Sequence, residues 1–409
     1  MIGKTLVITT NQDAKSKVGW WIGARSGGLS NSKPPDSYRT RRLRAAFPML
    51  AVFGSICIVY LSTVATVVAT DPYDIYRWGS MVQLTANDVP RDNVVRWIDA
   101  VTKKSDINTF LVGGSTTAMY SPDDIEEVLG GKTVAYNLSY GGPRPMDRDI
   151  VLDQLAANSH SQRIIITFDW MYILDPETMR DGFPEFLYDH EVADDIRMVD
   201  FEAVRRTLKV LAGQTKYDSR DGERYAKFVV QQYNTFQKPS RMAELRALIK
   251  EYRSVIDTPS GRSCASFNAV DEQLVPRIRR FAEKGVKIDV VMPILSYANY
   301  YFNMSAISPT LLDEVLISRR CLVEAVDGLP NVRVFAFDDD PAIAGDLANF
   351  RDPGHVYSAE VLKRTLTSLS VGENMLNRAN IGEYERRIRT EVKNYVIKNS
   401  NSTTWKGTE

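Results

Sequence analysis

The sequence predicts an α/β protein with a five-stranded parallel sheet, helices on both faces of that sheet, and one transmembrane helix at the amino terminus. Short runs rich in β-branched residues alternate with stretches whose apolar residues recur at helical spacing, and this alternation favours a parallel sheet. A second observation is an uncharged stretch from Ala45 to Thr70. A third is a long helical stretch at about 175–270, which predicts an insertion between the third and fourth strands.

The uncharged stretch predicts a membrane anchor, because it exceeds the roughly 20 apolar residues that cross a bilayer core. Residues 1–44 contain nine Lys/Arg and two Asp, a formal net charge of +7, whereas the rest of the chain carries −7. By the positive-inside rule we expect a single-pass protein of the inner (cytoplasmic) membrane, with its amino terminus in the cytoplasm and its main domain periplasmic or extracytoplasmic. A cleaved signal peptide is the alternative, although the stretch is longer than a typical h-region of about 7–15 residues.

These features divide the chain into four predicted segments. The basic start, rich in Gly, Ser and Asn, is typical of a disordered tail. An amphipathic pattern over 382–397 predicts a helix near the carboxyl terminus. The segments are a cytoplasmic tail (1–44), a transmembrane helix (45–70), an α/β domain with a helical insertion at about 175–270 (71–370), and a carboxyl-terminal helix and tail (371–409).

The composition argues against some classes of function. The formal net charge is zero and the main body is slightly acidic, whereas nucleic-acid binding requires a basic face. Three His and three Cys are scattered along the chain, so we predict neither a metal site nor another cofactor. Cys57 lies in the predicted membrane helix, which leaves Cys264 and Cys321 as the possible disulfide pair in an oxidising compartment. The sequence does not show whether their Cα atoms come within reach.

The five strands are predicted from short apolar runs and from the residues that end them. The first run ends in two glycines, the third is rich in isoleucine between polar residues, and the fourth stops at Pro293. The predicted strands cover 107–114, 132–139, 163–170, 287–294 and 332–338.

The predicted helices begin and end at residues typical of helix termini. Ser121 fits an N-cap, Pro122 fits the first helical position, and the two aspartates that follow suit the helix dipole. Gly285 ends a later helix. The predicted helices cover 121–129, 144–158, 201–213, 241–256, 271–285, 308–328 and 358–369.

Polar residues follow the strands at one edge of the predicted sheet. In open α/β sheets, ligands bind at the carboxyl ends of the strands. Ser115 follows the first strand, the segment 137–142 follows the second, and the fifth strand is followed by a segment that ends with Asp352 and His355. Ser115 and the Asp352/His355 pair are therefore expected on the same edge, although they lie far apart in the sequence.

This edge predicts a nucleophilic serine. A serine needs a base within about 3 Å, and the base needs a third group that fixes its tautomer. We predict Ser115 as the nucleophile, His355 as the base and Asp352 as the orienting acid, with Pro353-Gly354 turning the chain between the last two. The aspartates at 338–340 are alternative orienting acids. A turn cap at Ser115 and an exposed surface histidine at His355 are the structural alternatives.

Further residues of this edge complete the predicted site. The backbone N–H groups of Ser115, Gly141 and Gly142 are candidates for an oxyanion hole, because glycine permits close approach. Four residues are predicted to contact the substrate: Asn137, Asp169, Trp170 and Tyr297. The alternative is that they have structural roles, such as satisfying a turn or packing beneath the insertion.

Three motifs resemble the sequence blocks of the SGNH (GDSL-like) hydrolases: "GGSTT" after the first strand, "NLSYGG" after the second and "DPGH" before the last helix of the domain. Within that superfamily the chain resembles membrane-anchored relatives such as the teichoic-acid D-alanyl transfer protein and the alginate O-acetyltransferases. The resemblance covers about residues 71–370 and implies an SGNH/flavodoxin-like fold, with Ser115 as nucleophile, His355 as base and Asp352 as its partner. One block departs from the pattern, because Asp169 stands where these enzymes usually carry an oxyanion-binding asparagine.

The resemblance implies an exported, membrane-anchored acyl-ester enzyme, either an O-acetyltransferase or an esterase, that acts on a cell-envelope or exported polysaccharide. A transferase would also need a membrane partner that donates the acyl group. The alternative is a non-catalytic envelope scaffold or glycan-binding protein, which the departure at Asp169 favours. A distance beyond about 5 Å between the side chains of Ser115 and His355 would support the scaffold.

Overall fold

The computed structural model describes residues 36–73, 94–96, 98–158, 160–173, 177–189, 197, 199–214, 236 and 238–397. The chain divides into two units, Met1–Tyr60 and Leu61–Glu409. Most of the predicted cytoplasmic tail (1–35), several stretches of the insertion and the final residues (398–409) lie outside the described residues.

The uncharged stretch near the amino terminus forms part of a long helix, α1 (Asp36–Thr70). Among the described residues, one helical segment is long and apolar enough to cross a membrane, Phe47–Thr70, which has 24 residues. Its side chains are mostly exposed, as lipid-facing side chains would be. This agrees with the predicted span at 45–70, whereas the direction of insertion stays a prediction.

All five predicted strands form, and they pair in parallel in the order β2-β1-β3-β4-β5. Each strand is shorter than its apolar run, which extends beyond the strand at one or both ends. The bounds are β1 (Thr109–Val112), β2 (Ala135–Asn137), β3 (Arg163–Thr167), β4 (Lys287–Val291) and β5 (Val332–Phe335).

The prediction of a purely parallel, five-stranded sheet is wrong in one respect. In the described chain the sheet has a sixth strand, β8 (Met375–Leu376), which pairs antiparallel with β5. Two residues are too few to show strand periodicity, so the sequence carries no signal for this strand. A separate hairpin of β6 (Phe350–Asp352) and β7 (His355–Val356) carries the "DPGH" motif.

Helices cover both faces of the sheet. One face packs against α3 (Pro122–Leu129) and α10 (Ala359–Val371). The other face packs against α4 (Pro145–Asn158), α7 (Val275–Glu283) and α9 (Leu311–Val326). The remaining helices are α2 (Ile98–Thr102), α5 (Phe201–Leu211), α6 (Pro239–Tyr252), α8 (Tyr297–Ala306) and α11 (Ile381–Asn394).

Two helix termini form as the sequence predicts. The Ser121 side chain accepts a hydrogen bond from the backbone N–H of Asp123, 3.1 Å away, at the start of α3. Ser358 caps α10 in the same way. The helix predicted over 271–285 differs, because a π-helical segment (Ala269–Leu274) precedes α7.

The insertion and the carboxyl-terminal helix both pack on the domain. Of the described insertion, α6 packs against α8. Tyr384 and Ile388 of α11 are fully buried, and the Tyr384 hydroxyl donates to Asp338, 2.8 Å away. The predicted carboxyl-terminal helix is therefore part of the α/β core.

Cys264 and Cys321 form a disulfide, with their Cα atoms 5.4 Å apart. Cys264 lies near the end of the insertion and Cys321 lies in α9, so the bond ties the end of the insertion to a core helix. The free cysteine of the described chain is Cys57.

Replacing both Cys264 and Cys321 by Ser should lower the free energy of unfolding by about 2–4 kcal/mol, because the bond closes a long loop in the unfolded chain. Denaturant unfolding of the full chain measures this change in stability, with Cys57→Ser as the control that should leave stability unchanged.

Thiol titration of the denatured, unreduced chain should find one reactive cysteine of three. Three reactive thiols would contradict the disulfide.

Candidate active site

Ser115 lies in the loop that follows β1, and this loop is held closely by its neighbours. The backbone N–H groups of Thr117 and Ala118 donate to the Gly114 carbonyl, at 3.1 and 3.2 Å. The loop also joins the one after β2, because Tyr140 donates its N–H to the Gly113 carbonyl at 3.4 Å. Ser115 is therefore fixed at the carboxyl edge of the sheet, where the sequence places it.

Ser115, His355 and Asp352 form one hydrogen-bonded chain. The Nε2 atom of His355 lies 2.8 Å from the Oγ atom of Ser115. Its Nδ1 atom lies 2.6 Å from the Oδ1 atom of Asp352. With the Nδ1 proton donated to the carboxylate, the Nε2 lone pair faces the serine hydroxyl, as a general base requires.

The hairpin of β6 and β7 positions the acid and the base. Asp352 and His355 face each other across the two strands. The backbone N–H of Gly354 donates to Asp352 Oδ1 at 3.1 Å, which closes the turn. The turn is docked on the loop after β4, since the N–H and hydroxyl of Ser296 donate to the Pro353 carbonyl at 3.2 and 2.7 Å.

Asp352 is an ionised acid near neutral pH. Burial alone raises its pKa, but the hydrogen bond and charge of His355 and those of Arg351 outweigh burial and lower the pKa of Asp352 to about 2. Arg351 donates to the outer oxygen, Oδ2, at 3.0 and 3.1 Å. The carboxylate is therefore negative when an imidazolium forms at His355, and it stabilises that cation.

The three alternative acids are occupied elsewhere. Asp338 is fully buried and accepts from Arg319 and Tyr300, each at 2.8 Å. Asp339 pairs with Arg387, and Asp340 pairs with Arg364 at 3.0 Å. Asp352 is thus the carboxylate that orients His355.

The three backbone N–H groups predicted to bind the oxyanion do not donate a hydrogen bond to any described residue. The N–H groups of Ser115, Gly141 and Gly142 have no hydrogen-bond partner in the described part of the chain. Gly142 has a φ of 65°, a conformation that favours glycine. No atom lies within 4 Å of where a Cβ at Gly141 or Gly142 would be, so both positions face open space.

Asp169 has a structural partner that the sequence did not reveal. The fully buried guanidinium of Arg148, on α4, pairs with Asp169 Oδ2, and the N–H of Met171 donates to Oδ1 at 3.0 Å. Arg148 also donates to the Thr167 carbonyl at 2.9 Å, and it lies over the Tyr172 ring. This pair lies directly beneath Gly114, whose added Cβ would meet Asp169 Oδ2 at 3.2 Å.

Asn137 also acts within the protein. Its amide nitrogen donates to the carbonyls of Thr117 and Tyr120, at 3.1 and 2.8 Å, and its oxygen accepts from the N–H of Ser139 at 2.9 Å. Its polar atoms are therefore engaged in tying the Ser115 loop to the loop after β2. This geometry matches the turn alternative and leaves no free amide hydrogen for a substrate.

Of the two aromatic residues predicted to contact substrate, Trp170 and Tyr297, one is enclosed. Tyr297 is 1% exposed and packs edge-on against Tyr395, with ring centroids 5.7 Å apart. The ring is not accessible in this structure, which favours the packing alternative over the predicted substrate contact at Tyr297. Trp170 is half-buried and packs against the core.

A cleft of about 330 Å³ opens beside the acid of the triad. Its walls come from the hairpin turn and from the first two turns of α6 with the residue before them, in the insertion. The lining residues are Asp352, Pro353, Lys238, Ser240, Arg241 and Glu244. The insertion thus reaches the edge of the candidate site.

No protein-family model, no curated protein and no solved structure matches this chain. The function must therefore be inferred from the site itself. Among the described residues, no group of three or more His, Cys, Asp or Glu could hold a metal ion.

Gly113→Ala should destabilise the Ser115 loop by about 1–3 kcal/mol. An added Cβ would lie 2.6 Å from Thr167 Oγ1 and closer still to Thr117 Oγ1. Gly141→Ala is the matched control, since its Cβ would meet nothing within 4 Å. Denaturant unfolding of both variants measures the difference, and equal stabilities would contradict the packing described for Gly113.

Proposed function

We propose that this chain is an exported, membrane-anchored serine acyl-ester enzyme of SGNH type. It makes or breaks an O-acyl ester, with acetyl as the first candidate, on a cell-envelope or exported polysaccharide. The observation that carries the proposal is the chain of contacts from Ser115 through His355 to Asp352, at 2.8 and 2.6 Å. A nucleophile, a base and an orienting acid in this order activate a serine toward acyl groups.

The first half-reaction forms an acyl-enzyme. The Oγ of Ser115 attacks the ester carbonyl carbon while His355 Nε2 accepts the hydroxyl proton. The carbonyl oxygen becomes an oxyanion, and the free N–H groups of Ser115, Gly141 and Gly142 are the donors available to stabilise it. As the bond to the leaving oxygen breaks, the imidazolium of His355 returns its proton to that oxygen.

The second half-reaction reverses these steps with a new acceptor. Water or a sugar hydroxyl gives a proton to His355 and attacks the acyl carbon, and Ser115 leaves with that proton restored. Water gives an esterase and a sugar hydroxyl gives an O-acyltransferase. In the transferase case, a membrane partner that passes acyl groups outward supplies the donor.

The order of the strands supports an SGNH-type fold. The parallel strands follow the order β2-β1-β3-β4-β5, which is that of flavodoxin-like sheets. In such sheets the ligand site lies where the strand order reverses, next to β1 and β3. Ser115 follows β1, and Asp169 follows β3, so the candidate site lies at this point.

The position of the enzyme is inferred from two further features. The segment Phe47–Thr70 is long and apolar enough to anchor the chain in a membrane. The Cys264–Cys321 disulfide suits an oxidising compartment outside the cytoplasm. Both agree with export of the domain that carries the triad.

A non-catalytic scaffold is the second candidate function, and one observation favours it. Asp169 is bound to Arg148, so the third motif supplies no side-chain oxyanion donor. The 2.8 Å contact of Ser115 with His355 argues for the enzyme, because a scaffold has no need of an aligned base. The two functions differ in whether Ser115 becomes acylated.

The full-length chain, incubated with an activated acetyl ester, should gain a mass of about 42 Da on Ser115 or hydrolyse the ester rapidly. Ser115→Ala should show neither, whereas Ser121→Ala, which removes a helix-capping hydroxyl, should behave as the parent chain. Intact-mass spectrometry and ester turnover measure both outcomes. A folded parent chain with no adduct and no turnover would favour the scaffold.

Asp352→Asn should lower turnover of the activated ester by roughly 10³–10⁴-fold, because an amide favours the wrong tautomer of His355. Asp340→Asn is the matched control, since Asp340 pairs with Arg364 and does not contact His355. Steady-state kinetics of the two variants, with circular dichroism to confirm folding, make the comparison. Equal activities would refute the role of Asp352.

A further inference from the structure

The helix α5 in the insertion has an unusual distribution of polarity. Its large apolar side chains point outward: Phe201 is 83% exposed, Leu208 is 62% exposed and Leu211 is 54% exposed. Its inner face includes two polar side chains, Arg206 and Thr207, which are 5% and 2% exposed. A helix on a water-exposed surface normally has the reverse arrangement.

The three exposed side chains form one surface. Their spacing, at 201, 208 and 211, places them on one side of the helix, with Val204 between them. We call this surface the α5 stripe, defined by Phe201, Leu208 and Leu211. Contiguous exposed apolar side chains of this size mark a surface that binds something apolar.

An ion pair and hydrogen bonds connect the start of α5 to the residues that follow α1. Asp200 caps α5 by accepting from the N–H of Ala203 at 2.8 Å, and the same carboxylate pairs with Arg96. Arg96 in turn donates to the hydroxyl of Tyr73, 3.3 Å away, and its guanidinium lies 5.4 Å from the Tyr73 ring centroid. Tyr73 follows Thr70, the last residue of α1, by three positions.

This connection links the start of α5 to the point where the chain would leave a bilayer. Thr70 and Val67 of α1 are buried, at 5% and 1% exposure, within the unit Leu61–Glu409. The domain therefore contacts the last turn of the apolar segment, where the chain would leave the hydrocarbon. Three side chains, Tyr73, Arg96 and Asp200, connect that point to the first turn of α5.

We propose that the α5 stripe is a membrane-docking surface that lies in the headgroup–acyl boundary of the bilayer spanned by α1. Helices with one apolar and one charged face lie in this layer, with the apolar side chains buried among the first acyl carbons. Arg205 and Lys209 lie along one side of the stripe. Arg205 pairs with Glu202 at 2.6 Å, and the stem of Lys209 can lie along the stripe while its cation reaches a lipid phosphate. The ligand is the phospholipid surface itself.

Docking would attach the domain to the membrane at two places, α1 and α5. A domain with one anchor can tumble about its connection, whereas two attachments hold one face toward the lipid. This inference is independent of the chemistry at Ser115, because it depends on no residue of the triad.

The test uses the full-length chain in lipid nanodiscs that contain zwitterionic and anionic phospholipids, with Cys57→Ser as background. A nitroxide label is placed at Leu208→Cys, and at Val371→Cys as the control, since Val371 is an equally exposed apolar residue at 62%. Collision rates with oxygen, which partitions into lipid, and with a water-soluble nickel chelate are measured. The oxygen-to-nickel ratio at position 208 should exceed that at position 371 at least about tenfold.

Two results would overturn the proposal. A ratio at position 208 equal to that at position 371 means that the stripe faces water in a lipid-only membrane, as it would if a protein partner were its ligand. Low collision rates with both reagents mean that the stripe is covered by protein, either by another part of this chain or by a second copy.

A second experiment compares two further variants with the nitroxide label at position 201, at one end of the stripe. With the label moved to Phe201→Cys, the double change Leu208→Glu and Leu211→Glu should shift the label toward the nickel chelate, whereas Val371→Glu should not. The melting temperature should stay unchanged in both, because these side chains are exposed. An unchanged ratio in the double variant would contradict docking through α5.

Discussion

Parallel strands in one sheet bring all of their carboxyl ends to the same edge, and the candidate site depends on this constraint. Ser115 follows β1, while the turn that carries Asp352 and His355 is held at Pro353 by Ser296, which follows β4. Residues separated by 240 positions come within 2.8 Å because the long segment between β5 and α10 carries the hairpin along this edge to the Ser115 loop. The helices on both faces fix the strands, so the edge is rigid at the candidate site.

Buried polar contacts beneath and beside the Ser115 loop hold this edge of the sheet in place. Arg148 and Asp169 lie beneath Gly114, and Asn137 binds the Ser115 loop to the loop after β2. Removing two charges from water is unfavourable, so such a pair is weak evidence for stability, but its fixed geometry suits the positioning of a nearby serine. The pair gives Asp169 a structural role in holding the Ser115 loop.

The sequence predicts the parts of this protein that have local signals. Each of the five parallel strands is an apolar run with a clear end, and Ser115, Asp352 and His355 were found because they follow such ends. The short strand β8 has only two residues and no periodicity, so the chain gives no sign of it. Arg148 looks like an ordinary charged helix residue, and the burial of Tyr297 depends on contact with Tyr395, which is 98 positions away in the sequence.

Labelling with a fluorophosphonate tests whether His355 activates Ser115. The serine oxygen displaces fluoride from phosphorus and forms a stable ester, so the labelled residue can be identified by peptide mapping of the full-length chain. We expect a single labelled serine, Ser115, with a labelling rate that falls sharply in His355→Ala. Labelling spread over several serines, no labelling at all, or an unchanged rate in His355→Ala would contradict it.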